Sequence, residues 1–259
     1  MTTKRFALDS MRKTALVGGI LYLLTFVSSI PAAFLLDPVL SDPAYVLGAG
    51  ADTQVSFAAF LDLVNALACI GTAVALFSVV KRQHEGLALG FVTTRMFEAA
   101  VLVLGVVSIL SVVTLRQAGA AGGDAASLVP AGRALVAVRD WTFVIGPGMA
   151  GLNALLLGTL LYRSRLVPRA IPALGLVGAP VFLSFVVAVI FGIAELGSVW
   201  QAIGVLPIFF WELSVGLWMT FKGFNRSAPL VAAAEARSPD GSTPAMPSRT
   251  AVATKAGAA

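Results

Sequence analysis

The chain has 259 residues, of which 58% are hydrophobic and 12% are charged, and its formal net charge is +5. Soluble domains carry about 25% charged residues, so this composition excludes an ordinary soluble domain and indicates a membrane protein. A basic chain can bind nucleic acid, but here the charges lie in the gaps between apolar runs, and we expect no nucleic-acid partner. A single cysteine and a single histidine exclude an internal disulfide and most zinc or di-iron sites, so we expect no metal and no cofactor.

Six apolar segments are long enough to cross a bilayer as helices, since a span needs about 20 mostly apolar residues. They predict an all-α fold, namely a polytopic membrane helix bundle with six transmembrane helices that lie in the lipid bilayer. The predicted spans are Thr14–Leu36, Gln54–Val80, Leu87–Leu115, Trp141–Leu161, Ile171–Leu196 and Trp200–Phe221. The chain then divides into a cytoplasmic N-terminal segment at 1–13, a six-helix transmembrane domain at 14–224 and a cytoplasmic tail at 225–259.

Two segments outside the spans have distinctive compositions. The tail is rich in Ala, Ser, Pro and Gly and, from Ser227 on, lacks aromatic residues, so it is predicted to be disordered. Between the third and fourth spans, RQAGAAGGDAAS is predicted to be a flexible linker. The following LVPAGRALVAVRDW has apolar residues at helical spacing, which fits either a short interfacial amphipathic helix or an extension of the fourth span.

Lysine and arginine are concentrated in alternate connections, which sets the orientation of the bundle by the positive-inside rule. Basic residues precede the first span, follow the second and fourth spans, and follow the last one. Residues 37–53 contain three aspartates and neither lysine nor arginine. The connection at 116–140 is an exception, because it carries three arginines. The pattern predicts that both termini are cytoplasmic.

Ionisable and amide side chains within the predicted spans form the candidate site. Insertion scales give roughly 2.5–3.5 kcal/mol for a charge at the helix centre, so such residues usually face protein or water. Arg95 and Glu98 share one face of the third span, about 12 and 16 Å beyond Leu87 at ~1.5 Å per residue. The candidate ligand-binding residues are Arg95, Glu98, Glu212, Asn153, Asp62 and Asn65.

Register along the helices places Glu212 and Asn153 near the depth of Glu98, and Asp62 nearer the outer surface. Two interpretations stay open. The cluster binds a small molecule, a proton or a lipid head group, in a binding protein or transporter. Alternatively, Arg95 neutralises Glu98, alone or with Glu212, and the charges only organise a non-catalytic scaffold or assembly partner. Two acids to one arginine leave a spare carboxylate in either case.

No catalytic residue is predicted. The sequence contains no G-x-S-x-G, no H-E-x-x-H and no Walker motif. The single cysteine, Cys69, lies in an apolar setting that favours an inert thiol. The sequence therefore gives little support to an enzyme.

Four segments, VLSDPAYVLGAGADT, KRQHEGLALGFVTTRMFEA, LYRSRLVPRAIPALGLVGAP and PIFFWELSVGLWMTFKGF, together resemble a bacterial multi-pass membrane family, domain of unknown function 4386. The resemblance runs from about Arg12 to Phe224 and includes all six spans. It implies a multi-pass protein of the bacterial inner membrane, which is the plasma membrane, with no established activity. It also implies that the Arg95 and Glu98 spacing and an acid at Glu212 belong to the family pattern.

The predicted topology can be tested by labelling. Cysteines introduced singly at Ala44 and Ser227, in a Cys69→Ala background, should react differently with a membrane-impermeant thiol reagent. Ala44→Cys should label on intact cells because residues 37–53 are predicted to be outside, whereas Ser227→Cys should label only after permeabilisation. Equal labelling of both positions on intact cells would contradict the topology.

Overall fold

The computed structural model describes residues 2–48 and 50–236, and in this part of the chain every regular element is helical. The helices are α1 Thr2–Leu35, α2 Asp37–Ser41, α3 Asp52–Val80, α4 Glu85–Ala120, α5 Ala125–Ser164, α6 Ala170–Ile190, α7 Val199–Phe221 and α8 Pro229–Ala236, with a 3-10 turn at Tyr45–Leu47. Six of these helices are long and apolar enough to cross a membrane. The prediction of an all-α bundle with six spans is confirmed, and the chain is an integral multi-pass membrane protein.

The six long helices form a closed ring. Each packs against the long helices before and after it in the chain, and α7 returns to pack against α1. Short connections make the helices run alternately up and down. We call the end that carries the connections 81–84 and 165–169 the basic end, and the end that carries 36–51, 121–124 and 191–198 the opposite end.

Apolar packing is divided along the axis of the ring. One large cluster is centred near the basic end, where it includes the fully buried Phe91, Leu157 and Met219, and it continues along α5 and α6 to Val144 and Val186. A second cluster lies at the opposite end, where the segment that follows α1 packs on α3 and α4 through residues such as Val39 and Tyr45. The polar side chains of the spans lie between these two apolar regions.

The ring closes where α1 meets α7. Gly19 lies so close to α7 that a Cβ atom there would be 2.6 Å from the Thr220 nitrogen and 2.9 Å from the Gly216 oxygen. Arg12 of α1 donates hydrogen bonds to the carbonyl oxygens of Met219 and Thr220 at 2.9 and 2.7 Å. These carbonyls end α7 and have no partner within their own helix, so Arg12 both caps α7 and holds it against α1.

The start of the fourth span differs from the prediction at Trp141. α4 continues to Ala120 and α5 begins at Ala125, so the predicted flexible linker is reduced to 121–124. Asp124 caps α5 by accepting a hydrogen bond from the Ala126 nitrogen at 3.2 Å. Partly buried side chains of α5, including Leu128 and Val136, pack against the apolar cluster at the opposite end. Of the two interpretations of this segment, extension of the fourth span is the one observed.

Two later boundaries also differ. α6 ends at Ile190 rather than at Leu196, and Gly192 follows with a φ of +68°, a left-handed conformation that ends helices. The first part of the predicted disordered tail is ordered, because α8 follows at Pro229–Ala236 and Ala228 and Val231 are buried in the cluster near the basic end. The Asn225 nitrogen donates to the Leu166 oxygen at 2.8 Å and fixes this segment. The rest of the predicted tail, 237–259, lies outside the described residues.

The contact between α1 and α7 generates a prediction. Gly19→Ala should destabilise the bundle by about 1–3 kcal/mol, because the new methyl group overlaps backbone atoms of α7. Gly18→Ala is the matched control, since its methyl group would meet the mobile end of the Leu76 side chain at 2.9 Å and gains helix propensity. Thermal unfolding in one detergent compares the two variants. Equal melting temperatures would contradict the close approach of α1 and α7 at Gly19.

Candidate functional site

Arg95 is shared between two acids that belong to different helices. Its Nη1 donates to Glu98 Oε2 on α4 at 3.0 Å, and its Nη2 donates to Glu212 Oε1 on α7 at 2.5 Å. The guanidinium carbon lies 5.0 Å from the centre of the Tyr22 ring on α1, a cation–π contact. The structure therefore brings Glu212 to the Arg95 and Glu98 pair that the sequence predicted, and adds Tyr22, which is not among the predicted site residues.

Asn153 of α5 completes this group. Its Nδ2 donates to Glu98 Oε2 at 2.8 Å, and its Oδ1 accepts a hydrogen bond from the Thr94 hydroxyl. Arg95 Nη1 also lies 3.6 Å from Cys69 Sγ on α3. We call Tyr22, Arg95, Glu98, Asn153 and Glu212 the central cluster. Together with the Cys69 contact, it joins five of the six helices of the ring.

Asp62 and Arg139 form a second buried ion pair. Arg139 Nη2 donates to Asp62 Oδ2 at 2.9 Å, and the two side chains are 7% and 8% exposed. Gly105 makes room for this pair, because a Cβ atom there would lie 3.2 Å from Arg139 Cδ. Arg139 is absent from the predicted site because the sequence placed it in the loop before Trp141. The sequence feature that could have pointed to Arg139 is Asp62 itself, since an acid within a span needs a cation as a partner.

The arginines that broke the alternation of charge all have local partners. Besides Arg139, Arg116 Nη2 donates to Asp52 Oδ2 at 2.6 Å, and Arg133 Nε donates to the Pro43 oxygen at 3.5 Å. The Tyr45 hydroxyl also donates to Asp52 at 3.2 Å. Burial, and then this hydrogen bond, raises the pKa of Tyr45 to about 12, so the phenol stays a neutral donor. These contacts fasten the segment between α1 and α3 onto α4 and α5.

A cavity of about 270 Å³ lies inside the ring and touches both groups of charges. Its wall includes Arg95, Glu98 and Glu212 as well as the Asp62 and Arg139 pair. Much of the remaining wall is apolar, and it contains five phenylalanines, namely Phe26, Phe143, Phe182, Phe185 and Phe209. Toward the opposite end, the wall includes the exposed Ala33 and Leu196 and the half-buried Gln201, which form the rim of the cavity.

An apolar layer lies on the other side of the central cluster. Phe91 is one helical turn from Arg95 on α4, Leu157 is one turn from Asn153 on α5, and Met219 is two turns from Glu212 on α7. All three side chains are fully buried. We call this layer the apolar floor, because it separates the cavity from the basic end.

The cavity wall has an excess of acidic groups. It contains two arginines and three carboxylates, so the wall carries one net negative charge when all five are ionised. Within the central cluster, the Glu212 side chain is 15% exposed, compared with 7% for Glu98 and 2% for Arg95. Glu212 also uses a single oxygen, Oε1, in its hydrogen bond to Arg95. Its second oxygen accepts no hydrogen bond from a described residue, and Glu212 is therefore the acid most available to the cavity.

Asn65 is the remaining predicted site residue, and it also lies on the cavity wall. The side chain is nine-tenths buried, and Cys69 Sγ lies 3.9 Å from its Oδ1. Among the described residues, none accepts a hydrogen bond from the Asn65 amide nitrogen. Asn65 and Asp62 thus lie between the central cluster and the rim, as their spacing on the second span predicted.

Comparison with known proteins identifies a family without a known activity. Residues 17–223 match the sequence model of the family described as a domain of unknown function, DUF4386. The chain belongs to this family. The resemblance inferred from the four sequence segments is confirmed, and the match includes the central cluster and both sides of the cavity. No curated protein and no solved structure matches the chain.

The central cluster predicts a series of variants with non-additive stabilities. Arg95→Met should be the least stable, because it leaves two carboxylates without a cation and breaking a buried ion pair costs about 3–5 kcal/mol. Adding Glu98→Gln and then Glu212→Gln should restore stability step by step, since each change removes one stranded charge.

Unfolding in a single detergent measures the series. Arg163→Met is the matched control, because Arg163 is exposed and such a change should stay within about 0.5 kcal/mol. If each added substitution lowered the free energy of unfolding further, by the amount that it costs alone, the three side chains would not be coupled.

Proposed function

We propose that this membrane protein binds a small molecule or a lipid group in the cavity, at the central cluster. The observation that carries the proposal is that the buried charges line a cavity instead of a closed helix contact. Ionisable residues inside a membrane protein are costly and are commonly retained for binding or transport. The cavity also combines apolar walls with a few convergent polar groups, which is the usual composition of a small-molecule site.

We also propose an orientation of the cavity in the membrane. With the basic end in the cytoplasm of a bacterial inner membrane, as the positive-inside rule favours, the rim of the cavity faces outward. The apolar floor then separates the cavity from the cytoplasm. A transporter would release its ligand inward only after the helices part at Phe91, Leu157 and Met219, whereas a binding protein needs no such opening.

A scaffold is the second candidate, and a specific observation favours it. Both arginines of the interior already contact carboxylates, and the central cluster together with the Cys69 contact joins five helices. A buried ion network can fix the register of helices without a ligand. The two functions make opposite predictions for Glu212, which is the most exposed of the three acids on the cavity wall.

Glu212→Gln separates the two candidates. In a binding protein, this variant should fold almost normally and lose a copurifying small molecule or lipid, because glutamine keeps the shape and the hydrogen-bonding oxygen but removes the charge. Untargeted mass spectrometry of the protein in nanodiscs, together with its melting temperature, measures both properties on one preparation. Glu195→Gln is the matched control, since Glu195 is exposed at the opposite end and lies outside the cavity wall.

A scaffold gives the reverse result. Ligand content would then be the same in Glu212→Gln, Glu195→Gln and the unchanged protein, and only the melting temperature of Glu212→Gln would fall. That outcome would contradict the binding proposal and favour a structural role for the central cluster.

A further inference from the structure

We infer that the ligand of the cavity is a small organic ammonium ion with an apolar body, an inference that rests on the proposed binding function. It draws on three independent features of the cavity: the balance of charge on its wall, the aromatic side chains of the same wall, and a buried amide that has a free donor.

The charge balance favours a cation. Arg95 gives one Nη atom to each of Glu98 and Glu212, and its Nε is buried away from the cavity without a partner. Both Nη atoms of Arg95 are thus committed to carboxylates, and an anion at this position would meet two carboxylates beside a single arginine. A monovalent cation beside Glu212 would balance the excess negative charge of the wall. Because an uncompensated charge is costly at low dielectric, that balance stabilises the occupied cavity.

The rest of the wall suits the body of an organic cation better than a hydrated metal ion. The five phenylalanines of the wall present apolar surface and aromatic faces, and an ammonium group is attracted to an aromatic face when it lies within about 6 Å. The Tyr22 ring already serves Arg95 in this way. Phe143 already makes such a contact with Arg139, whose guanidinium carbon lies 5.2 Å from the ring centre. The other four phenylalanines are therefore the aromatic groups left for a ligand.

The volume of the cavity limits the size of the ligand. The cavity, about 270 Å³, is at the small end of ligand pockets, which run from about 300 to 1,000 Å³. It fits roughly one aromatic ring with a short side chain and excludes a whole phospholipid. Asn65, with its unpartnered amide nitrogen on the same wall, offers a donor to a hydroxyl or carbonyl group of the bound molecule.

Three probes of matched shape test the inference. We would measure binding of 2-phenylethylammonium, 2-phenylethanol and phenylacetate to the full chain in nanodiscs, with empty nanodiscs as the correction for partition into lipid. The cation should bind at least about tenfold more tightly than the neutral and anionic probes. Glu212→Gln should weaken binding of the cation by about 10- to 100-fold, the range for a hydrogen bond to a charged group, and leave the alcohol unchanged.

A second pair of variants keeps the test valid if Glu212→Gln fails to fold. Gln201 is half-buried at the rim and is not part of the central cluster. Gln201→Glu should strengthen binding of 2-phenylethylammonium by several-fold, and Gln201→Lys should weaken it similarly. Gln201 and Glu212 lie on one helix, about 16 Å apart at ~1.5 Å per residue, and charges still interact over that distance in a low-dielectric interior. Binding of 2-phenylethanol should be the same in both variants.

The outcomes distinguish this inference from the proposed function. If the alcohol binds as tightly as the ammonium ion, or if both Gln201 variants leave the affinity for the ammonium ion unchanged, the cavity binds ligands but does not select cations, and the inference is overturned. An anionic or neutral copurifying ligand would overturn it as well. If none of the three probes binds and no molecule copurifies, the proposed function itself fails.

Discussion

The structure depends on one side chain, Arg95, which reaches across the ring. In the order α1, α3, α4, α5, α6, α7, the helices that carry Arg95 and Glu212 lie opposite each other and are not ring neighbours. A salt bridge between them therefore crosses the interior instead of lying in a helix interface. Only a long, forked cation can contact two carboxylates on opposite helices at once, which makes lysine a poor replacement. The guanidinium thus divides the interior into a cavity on one side and the apolar floor on the other.

The two ion groups of the interior differ in their balance of charge. Asp62 and Arg139 neutralise each other near the rim, whereas Arg95 faces two acids deeper in the ring. The excess acid is therefore located at mid-bundle, and no other described cation lines the cavity. The cavity lies between a neutral entrance and an acidic end, so the charges of its wall would attract the proposed cation from the rim toward Glu212.

The sequence predicted what depends on composition and on distance along one helix. Apolar runs of about 20 residues gave the six spans, a spacing of three residues paired Arg95 with Glu98, and the rise per residue placed Glu212 at a similar depth. Contacts between different helices could not be predicted from the sequence. Arg139 was assigned to a loop because a charged residue weakens an apolar run, although its partner lies on a different helix, α3. The end of α4 beyond Leu115 and the helix α8 were missed for the same reason, because packing against distant segments orders sequences whose composition suggests a loop.

The proposed ligand site and the packing of α7 both involve Glu212. Glu212 is the single ionisable residue of α7. The electrostatic attraction between α4 and α7 therefore depends on this carboxylate. The packing around α7 is otherwise close and built on glycine: Gly175 of α6 lies against Trp211, and Gly216 lies against Tyr22 of α1. Helices that meet at glycines can approach closely with few interlocking side chains. The proposed cation would use the second oxygen of the carboxylate whose Oε1 contacts Arg95, so the proposed site and the contact that holds α7 across the ring share one side chain.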